Sequence, residues 1–361
     1  MNKIIHIILI SIISLTVISC AKKSDSSSSS SSTCTSSDVS FLAVGASGTL
    51  LTSADGTCWT AQTSGTTNNL RAFAIKPSTI GVVVGYSGTI LTSTDGITWT
   101  SRTSGTTKNI NNVAYGNSTL VVVGFSGTVL TSSDGTTWTS RTSGTSYDIN
   151  NVHYSSGSSG FVAVGDSGTL LTSSDGITWT DKTSSCGMTE NLWGISSNST
   201  VGVAVGDNGS IYTSADAGDN CTKRTSGTTS EFNGLLYGNS TFVAVGYSGT
   251  LLTSDNGTTW TSKTSGTSNE IREVIYDRNI FFGVGEDATY IYSQNGTSWS
   301  SGSPTGIDAS AYLSGVAYGL ETWVTVGASG VIYTIGDDET AYTLRTSGTT
   351  ESFRRVYYVG Q

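Results

Sequence analysis

EFNGLLYGNSTFVAVGYSGTLLTSDNGTTWTSKTSGTS, residues 231–268, decides how the whole chain is read. It splits into four short runs of apolar, β-branched and aromatic residues, each closed by a cluster of Gly, Asn, Asp or Ser, the pattern of strands and tight turns. The runs predict strand A at 232–237, B at 241–245, C at 249–253 and D at 259–264. Strands of this length joined by short turns form an up-and-down sheet of four. Alone, such a sheet leaves both faces bare, so it needs neighbours.

The neighbours are copies of itself. A Val-Gly pair ends the second run at Val44-Gly45, Val84-Gly85, Val123-Gly124, Val164-Gly165, Val205-Gly206, Val245-Gly246, Val284-Gly285 and Val326-Gly327. The spacings lie between 39 and 42 residues, and no helical period is visible after residue 40. A period near forty built from strands alone is that of propeller blades. Strands B, C and D recur eight times, but the first unit, from Val39, lacks strand A. The missing strand is at the other end: Phe353-Arg354-Arg355-Val356-Tyr357-Tyr358-Val359-Gly360 repeats the pattern of Ile110-Asn111-Asn112-Val113-Ala114-Tyr115-Gly116. A linear solenoid would need polar caps, and neither end offers one. The expectation is an all-β, eight-bladed β-propeller of four-stranded antiparallel blades, closed by pairing of the N- and C-terminal strands in blade 1.

Ahead of the repeats, Lys3 and an apolar run from Ile4 to Ile18 read as a secretory signal peptide over residues 1–19. The run is shorter than the roughly 20 residues a spanning helix needs. Val17-Ile18-Ser19-Cys20 resembles the lipobox of bacterial lipoproteins, which implies a lipidated Cys20 as the mature N-terminus. The serine run 26–32 fits a flexible tether over 20–37, with the propeller at 38–361. The expected location is the cell envelope, membrane-anchored in the periplasm or on the cell surface. Lys3 is the one charged side chain before Cys20, so 16 basic and 26 acidic residues remain, a formal net charge of −10. That balance argues against nucleic acid, whose phosphates need a basic surface.

Between strands C and D recur Ser53 to Trp59, Ser93 to Trp99, Ser132 to Trp138, Ser173 to Trp179, Thr253 to Trp260 and Ser293 to Trp299. These resemble the Asp-box, or bacterial neuraminidase repeat, S-x-D-x-G-x-T-W. The Thr253 to Trp260 copy is read as full-length and most others as one residue shorter. The box aspartates are Asp55, Asp95, Asp134, Asp175, Asp216 and Asp255; Asn295 replaces one, and Cys221 and Tyr342 replace the Trp in units 5 and 8. An Asp opening a tight turn accepts N–H bonds from the residues ahead of it, Gly takes the positive φ, and the Trp is expected to cover the next blade. Repeated around one rim, the aspartates are structural, and no catalytic residue is assigned.

The string Val-Gly-x-x-Gly-x-[Leu/Ile]-[Leu/Tyr]-x-Ser-x-Asp-Gly-x-Thr-Trp is similar to the propellers of photosystem II assembly and stability factors and of the wider Asp-box group, which includes sialidases. The resemblance implies the fold over residues 38–361. A sialidase would also bring an early Phe-Arg-Ile-Pro-type motif, which this chain lacks. Arg102, Arg141, Arg224 and Arg345, with Lys182 and Lys263, share one position on strand D and read as a charged outer edge.

With strand A innermost, the D-to-A and B-to-C turns share a top face, where propeller ligands generally dock. The residues following each Val-Gly are Ala46, Tyr86, Phe125, Asp166, Asp207, Tyr247, Glu286 and Ala328, with Arg71, Arg272, Arg354 and Arg355 nearby on strands A. They are read either as solvated turns or as a docking site for a protein, peptide or glycan. The functional expectation is a non-enzymatic, monomeric binding or scaffold module; the alternative is a glycan-active hydrolase of the Asp-box group. No cofactor or metal is expected. His153, the sole histidine after Cys20, has no close Cys or carboxylate pair and reads as structural. The cysteines beyond Cys20 are even in number, so Cys34–Cys58 and Cys186–Cys221 are the candidate bridges, the second made awkward by its spacing.

Overall fold

A computed structural model of the chain describes residues 38–77, 79–155, 160–303, 310–336 and 342–360. The signal peptide, Cys20, the tether and Cys34 lie outside them. The described strands form eight four-stranded antiparallel sheets, seven of them consecutive in sequence. The eighth joins the two ends of the chain: Phe353–Tyr358 pairs with Phe41–Gly45, with Phe41 opposite Tyr358 and Val44 opposite Arg355. The ring is an eight-bladed β-propeller closed in blade 1. No described helix is long and apolar enough to cross a membrane.

In blade 6, strand A spans Phe232–Gly238 and strand B Thr241–Gly246, close to expectation. Strand C starts later, at Leu251–Ser254, because Tyr247–Gly249 coil into a 3₁₀ turn. Ser248 and Gly249 there take φ of 54° and 66°. A Cβ on Gly249 would stand 2.0 Å from the Thr267 carbonyl oxygen, so the position excludes side chains. Strand D shrinks to Thr261–Ser262 and is exposed. An edge this short offers little template for another chain to pair with. The strand-D arginines lie back across the sheet instead of forming a free rim: Arg102, Arg141, Arg224 and Arg345 each donate from Nε to a strand-C threonine at 2.8 Å.

The C-to-D turns carry the expected hydrogen bonds, with two corrections. In blade 3, Asp134 Oδ1 accepts from the N–H groups of Thr136 and Thr137 at 2.8 and 2.9 Å, and Trp138 Nε1 donates to the Gly135 carbonyl at 3.0 Å. In blade 6 the accepting side chain is Asn256, not Asp255: Asn256 Oδ1 takes the N–H groups of Thr258 and Thr259. The turn begins at Ser254, whose Oγ accepts from Gly257 N–H at 2.8 Å, so blade 6 has the ordinary short turn. The turn with an inserted residue is in blade 5, where Gly218 reaches back four residues to Ser214 and Asp216 accepts from Asn220.

The second correction concerns the tryptophans, which cover the preceding blade and not the next. Trp138 of blade 3 packs with Val82 and Val84 of blade 2, and Trp260 of blade 6 with Val203 and Val205 of blade 5. Gly257 (φ 74°) shows why: a Cβ there would stand 3.1 Å from Val201 and Val203 side-chain carbons, so the turn itself presses on blade 5. The core is thus eight apolar layers between blades. Each is built from alternate residues of neighbouring strands B and C, which face opposite sides of their sheet.

Cys186 and Cys221 are joined by a disulfide with Cα atoms 4.8 Å apart. A one-turn helix, Thr183–Cys186, sits where other blades have plain turn and swings Cys186 toward blade 5. That detour relieves the awkward spacing. Cys58 is also disulfide-bonded.

Candidate functional site

Every strand A carries the same irregularity. Its pairing with strand B slips by one residue near the start, as between Leu70 and Ala72 or Ile271 and Glu273. A bulge leaves one residue unpaired and re-aims its side chain. The eight residues so treated are Arg354, Arg71, Asn111, Asn150, Trp193, Asn233, Arg272 and Ser314, in blades 1 to 8. All eight line one central cavity of about 290 Å³, the mouth of the channel. The fold therefore presents one side chain per blade to a common point.

A second ring supports the first. The residue after each strand B donates its N–H to the carbonyl of the residue preceding strand A, as Tyr86 to Asn69, Asp166 to Asp148, Tyr247 to Glu231 and Glu286 to Glu270. These turns form the expected top face. Several of their side chains then hold bulge residues. Arg71 Nη1 donates to the Tyr86 hydroxyl at 2.9 Å, and its guanidinium lies 5.4 Å from that ring's centre. Asp166 accepts from Asn150 at 2.8 Å, and Asp207 from Trp193 Nε1 at 2.6 Å. Tyr247 and Glu286 are exposed at the rim and Phe125 is half-buried. Ala46 and Ala328 contribute no functional group.

Of the residues expected on the docking face, Arg71, Arg272, Arg354 and Tyr247 line the cavity, as does the neighbouring Arg355, while Tyr86, Phe125, Asp166, Asp207 and Glu286 stay outside its lining. Sequence reading passed over Asn111, Asn150, Trp193, Asn233 and Ser314. Their signal was available in the repeat: each follows the first apolar residue of strand A, where residue type changes from blade to blade.

Charge in the mouth is unevenly neutralised. Glu270 is buried and accepts from Arg272 at 3.1 Å, Asn233 at 2.8 Å and the Tyr312 hydroxyl at 3.1 Å. Burial, with the Glu270 carboxylate adding to it, pushes the Tyr312 hydroxyl up to about 12. Arg355 pairs with Glu273, reaching past blade 8 to blade 7. The Arg354 side chain makes no hydrogen bond or ion pair with any described residue. Burial, then the positive charge of Arg272, Arg71 and Arg355, brings its guanidinium down to about 9. On the other side of the mouth, burial together with Asp207 and Glu270 raises the Glu231 carboxyl. The result is a polar funnel with the guanidinium groups of Arg354 and Arg71 on one side and an acidic, tyrosine-bearing rim on the other.

His153 lies away from this mouth, with Nε2 3.3 Å from Ser197 Oγ, and burial pushes its pKa down. Among the described residues no group of three His, Cys, Asp or Glu side chains is placed to hold a metal ion.

The class of protein defined here is an eight-bladed propeller with a polar, arginine-bearing funnel at one end of its channel. No family model matches the chain, and no curated protein matches it either. Solved structures do. YCF48 from Cyanidioschyzon merolae aligns at TM-score 0.56 and 17% identity over 75% of this chain and 96% of that one. YCF48 bound to a D1 peptide aligns at 0.55 and 16% over 73% and 92%. The computationally designed Ika8 protein aligns at 0.62 and 15% over 81% and 96%. At these identities the likeness establishes the propeller fold.

Proposed function

We propose that this chain is a non-enzymatic binding propeller that takes a peptide segment of a partner protein across the channel mouth, with an anionic group of that segment seated on Arg354 and Arg71. The observation that carries the reading is Arg354: a half-buried guanidinium among three others, with no carboxylate of its own. A charge partly withdrawn from water without a partner gains from a ligand that completes it. Arginine is suited to the task because its planar fork meets a carboxylate with two parallel hydrogen bonds. Tyr86 and Tyr247 offer rigid rings to the flanking residues of the peptide, the kind of anchor that dominates interfaces. The D1-peptide complex of YCF48 is a precedent for a propeller of this general shape engaging a peptide. We further propose that the chain is exported and held at the envelope through a lipidated Cys20, which gives its partners the same address.

The test is selection of peptides from a random displayed library on the soluble propeller, followed by affinity measurements on synthetic versions. The best binders are expected to carry a carboxylate whose removal weakens binding at least tenfold. Arg354→Gln and Arg71→Gln should reproduce that loss. Carboxylate-bearing and neutral peptides binding alike, or folded variants binding as well as wild type, would overturn the reading. Replacing Cys20 by Ser should release the protein from membranes and abolish incorporation of labelled fatty acid.

A further inference from the structure

Four blades seal their interface with the same aromatic trio: a Tyr from strand A, a Phe from strand B and the turn Trp. In blade 6 these are Tyr237, Phe242 and Trp260, with ring centres 4.6 and 6.4 Å apart. Blade 7 repeats the arrangement with Tyr276, Phe281 and Trp299 at 4.6 and 5.8 Å, and blades 1 and 4 do likewise. Blade 5 has none of the three. Strand pairing places Ser197 opposite Gly202 where blade 6 places Tyr237 opposite Phe242, and Cys221 stands where the Trp would be. Three rings have become a hydroxymethyl, a hydrogen and half of a disulfide.

The space they leave is present. A cavity of about 260 Å³ lies between blades 4 and 5, walled by Val162, Leu170, Ile195 and Ala204, with His153 and Ser197 on its polar side. Loss of core volume on this scale is normally strongly destabilising. Here it coincides with a disulfide that ties the two blades together across the same gap. The polar side is a neutral imidazole at ordinary pH, because burial disfavours its charged form. It faces a hydroxyl only 3.3 Å away, so a donor or acceptor on a guest finds a partner.

We propose that this inter-blade cavity is a binding pocket for a small planar aromatic molecule with one hydrogen-bonding edge, of the phenol or indole class. The occupant follows from the fold itself, since in four other blades the corresponding volume is filled by flat rings. Size agrees as well: an apolar cavity of about 150 Å³ already accepts benzene. The pocket is separate from the channel mouth and does not depend on the peptide reading.

The probes are 4-methylphenol and indole, titrated into the intact propeller by calorimetry and by ligand-observed NMR, with cyclohexanol as a non-planar control. Saturable binding of both aromatics is expected, at least tenfold tighter than cyclohexanol and accompanied by a higher Tm. Gly202→Phe supplies the missing ring from within. A Cβ at Gly202 meets nothing closer than the Ser214 carbonyl oxygen at 3.8 Å, so the substitution has room. It should abolish binding and raise Tm above that of ligand-free wild type. Ser197→Tyr is the second filling variant should the first fold poorly, and Arg354→Gln should leave aromatic binding unchanged. Absence of saturable binding to wild type, or undiminished binding to a folded filling variant, would overturn the proposal.

Discussion

At the scale of single residues, the C-to-D turn shows what its carboxylates are for. Asp95 is held down at about 2, from an ordinary 3.8, first by the N–H of Thr98 and then by that of Ile97. Asp134 is lowered in the same way by Thr137 and Thr136, and Asp175 chiefly by Thr178. A carboxyl whose folded pKa is depressed adds stability above its unfolded pKa, and that contribution is lost as pH falls toward the folded value. The urea midpoint should therefore hold steady down to about pH 5 and drop between about pH 4 and 2. Blades 6 and 7 supply the control, because Asn256 and Asn295 make the same N–H contacts without a charge. Asp95→Asn should keep neutral-pH stability close to wild type and flatten the acid fall. Asp95→Ala should cost about 1 kcal/mol at neutral pH by removing the acceptor. Equal losses from both variants would show that the turn needs charge and not only an acceptor.

The blade is the next scale, and here energetics concentrate in the aromatic trio. Phe242 is fully buried against blade 5 and touches both Tyr237 and Trp260. Phe242→Ala should lower the unfolding free energy by about 3–5 kcal/mol, read from chemical denaturation. The same truncation has no counterpart in blade 5, where Gly202 is already its product. The blade is also where reading from sequence reached its limit. Strands A and B were legible because alternating apolar residues and a terminal Val-Gly repeat eight times. The bulge was not, because it leaves no composition of its own: Arg71, Asn111, Trp193 and Ser314 share a backbone shift and no chemistry. The turn acceptor of blade 6 is not legible in sequence because two adjacent residues, Asp255 and Asn256, can both fill an Asx position and only the register of Ser254 separates them. Tryptophan direction was likewise hidden, since sequence order says which blade comes next but not which face a turn presents.

For the molecule as a whole, closure rests on six residues at the very end of the chain. Phe353–Tyr358 completes blade 1 and is fastened on both flanks. Ser314 of blade 8 donates to the Phe353 carbonyl at 2.8 Å, Phe73 N–H of blade 2 donates to the Tyr357 hydroxyl at 3.1 Å, and Arg355 pairs with Glu273 of blade 7. This strand also carries Arg354, so the element that closes the ring supplies the site's unpartnered charge. Ring and site are therefore coupled, and removing residues 351–361 should damage both. Blade 1 would be left with strand B, fully buried in the closed ring, as a bare apolar edge, a template for aggregation. The truncated protein should lose its single cooperative unfolding transition and bind a hydrophobic dye. A synthetic peptide of residues 351–361 should restore the transition in a concentration-dependent way, because a ligand that binds only the folded ring stabilises it by mass action. The same peptide with Arg354 replaced by Gln should restore folding but not peptide binding at the mouth. A truncated chain that melts cooperatively within a few degrees of the intact one would show instead that seven complete blades hold the ring without the terminal strand.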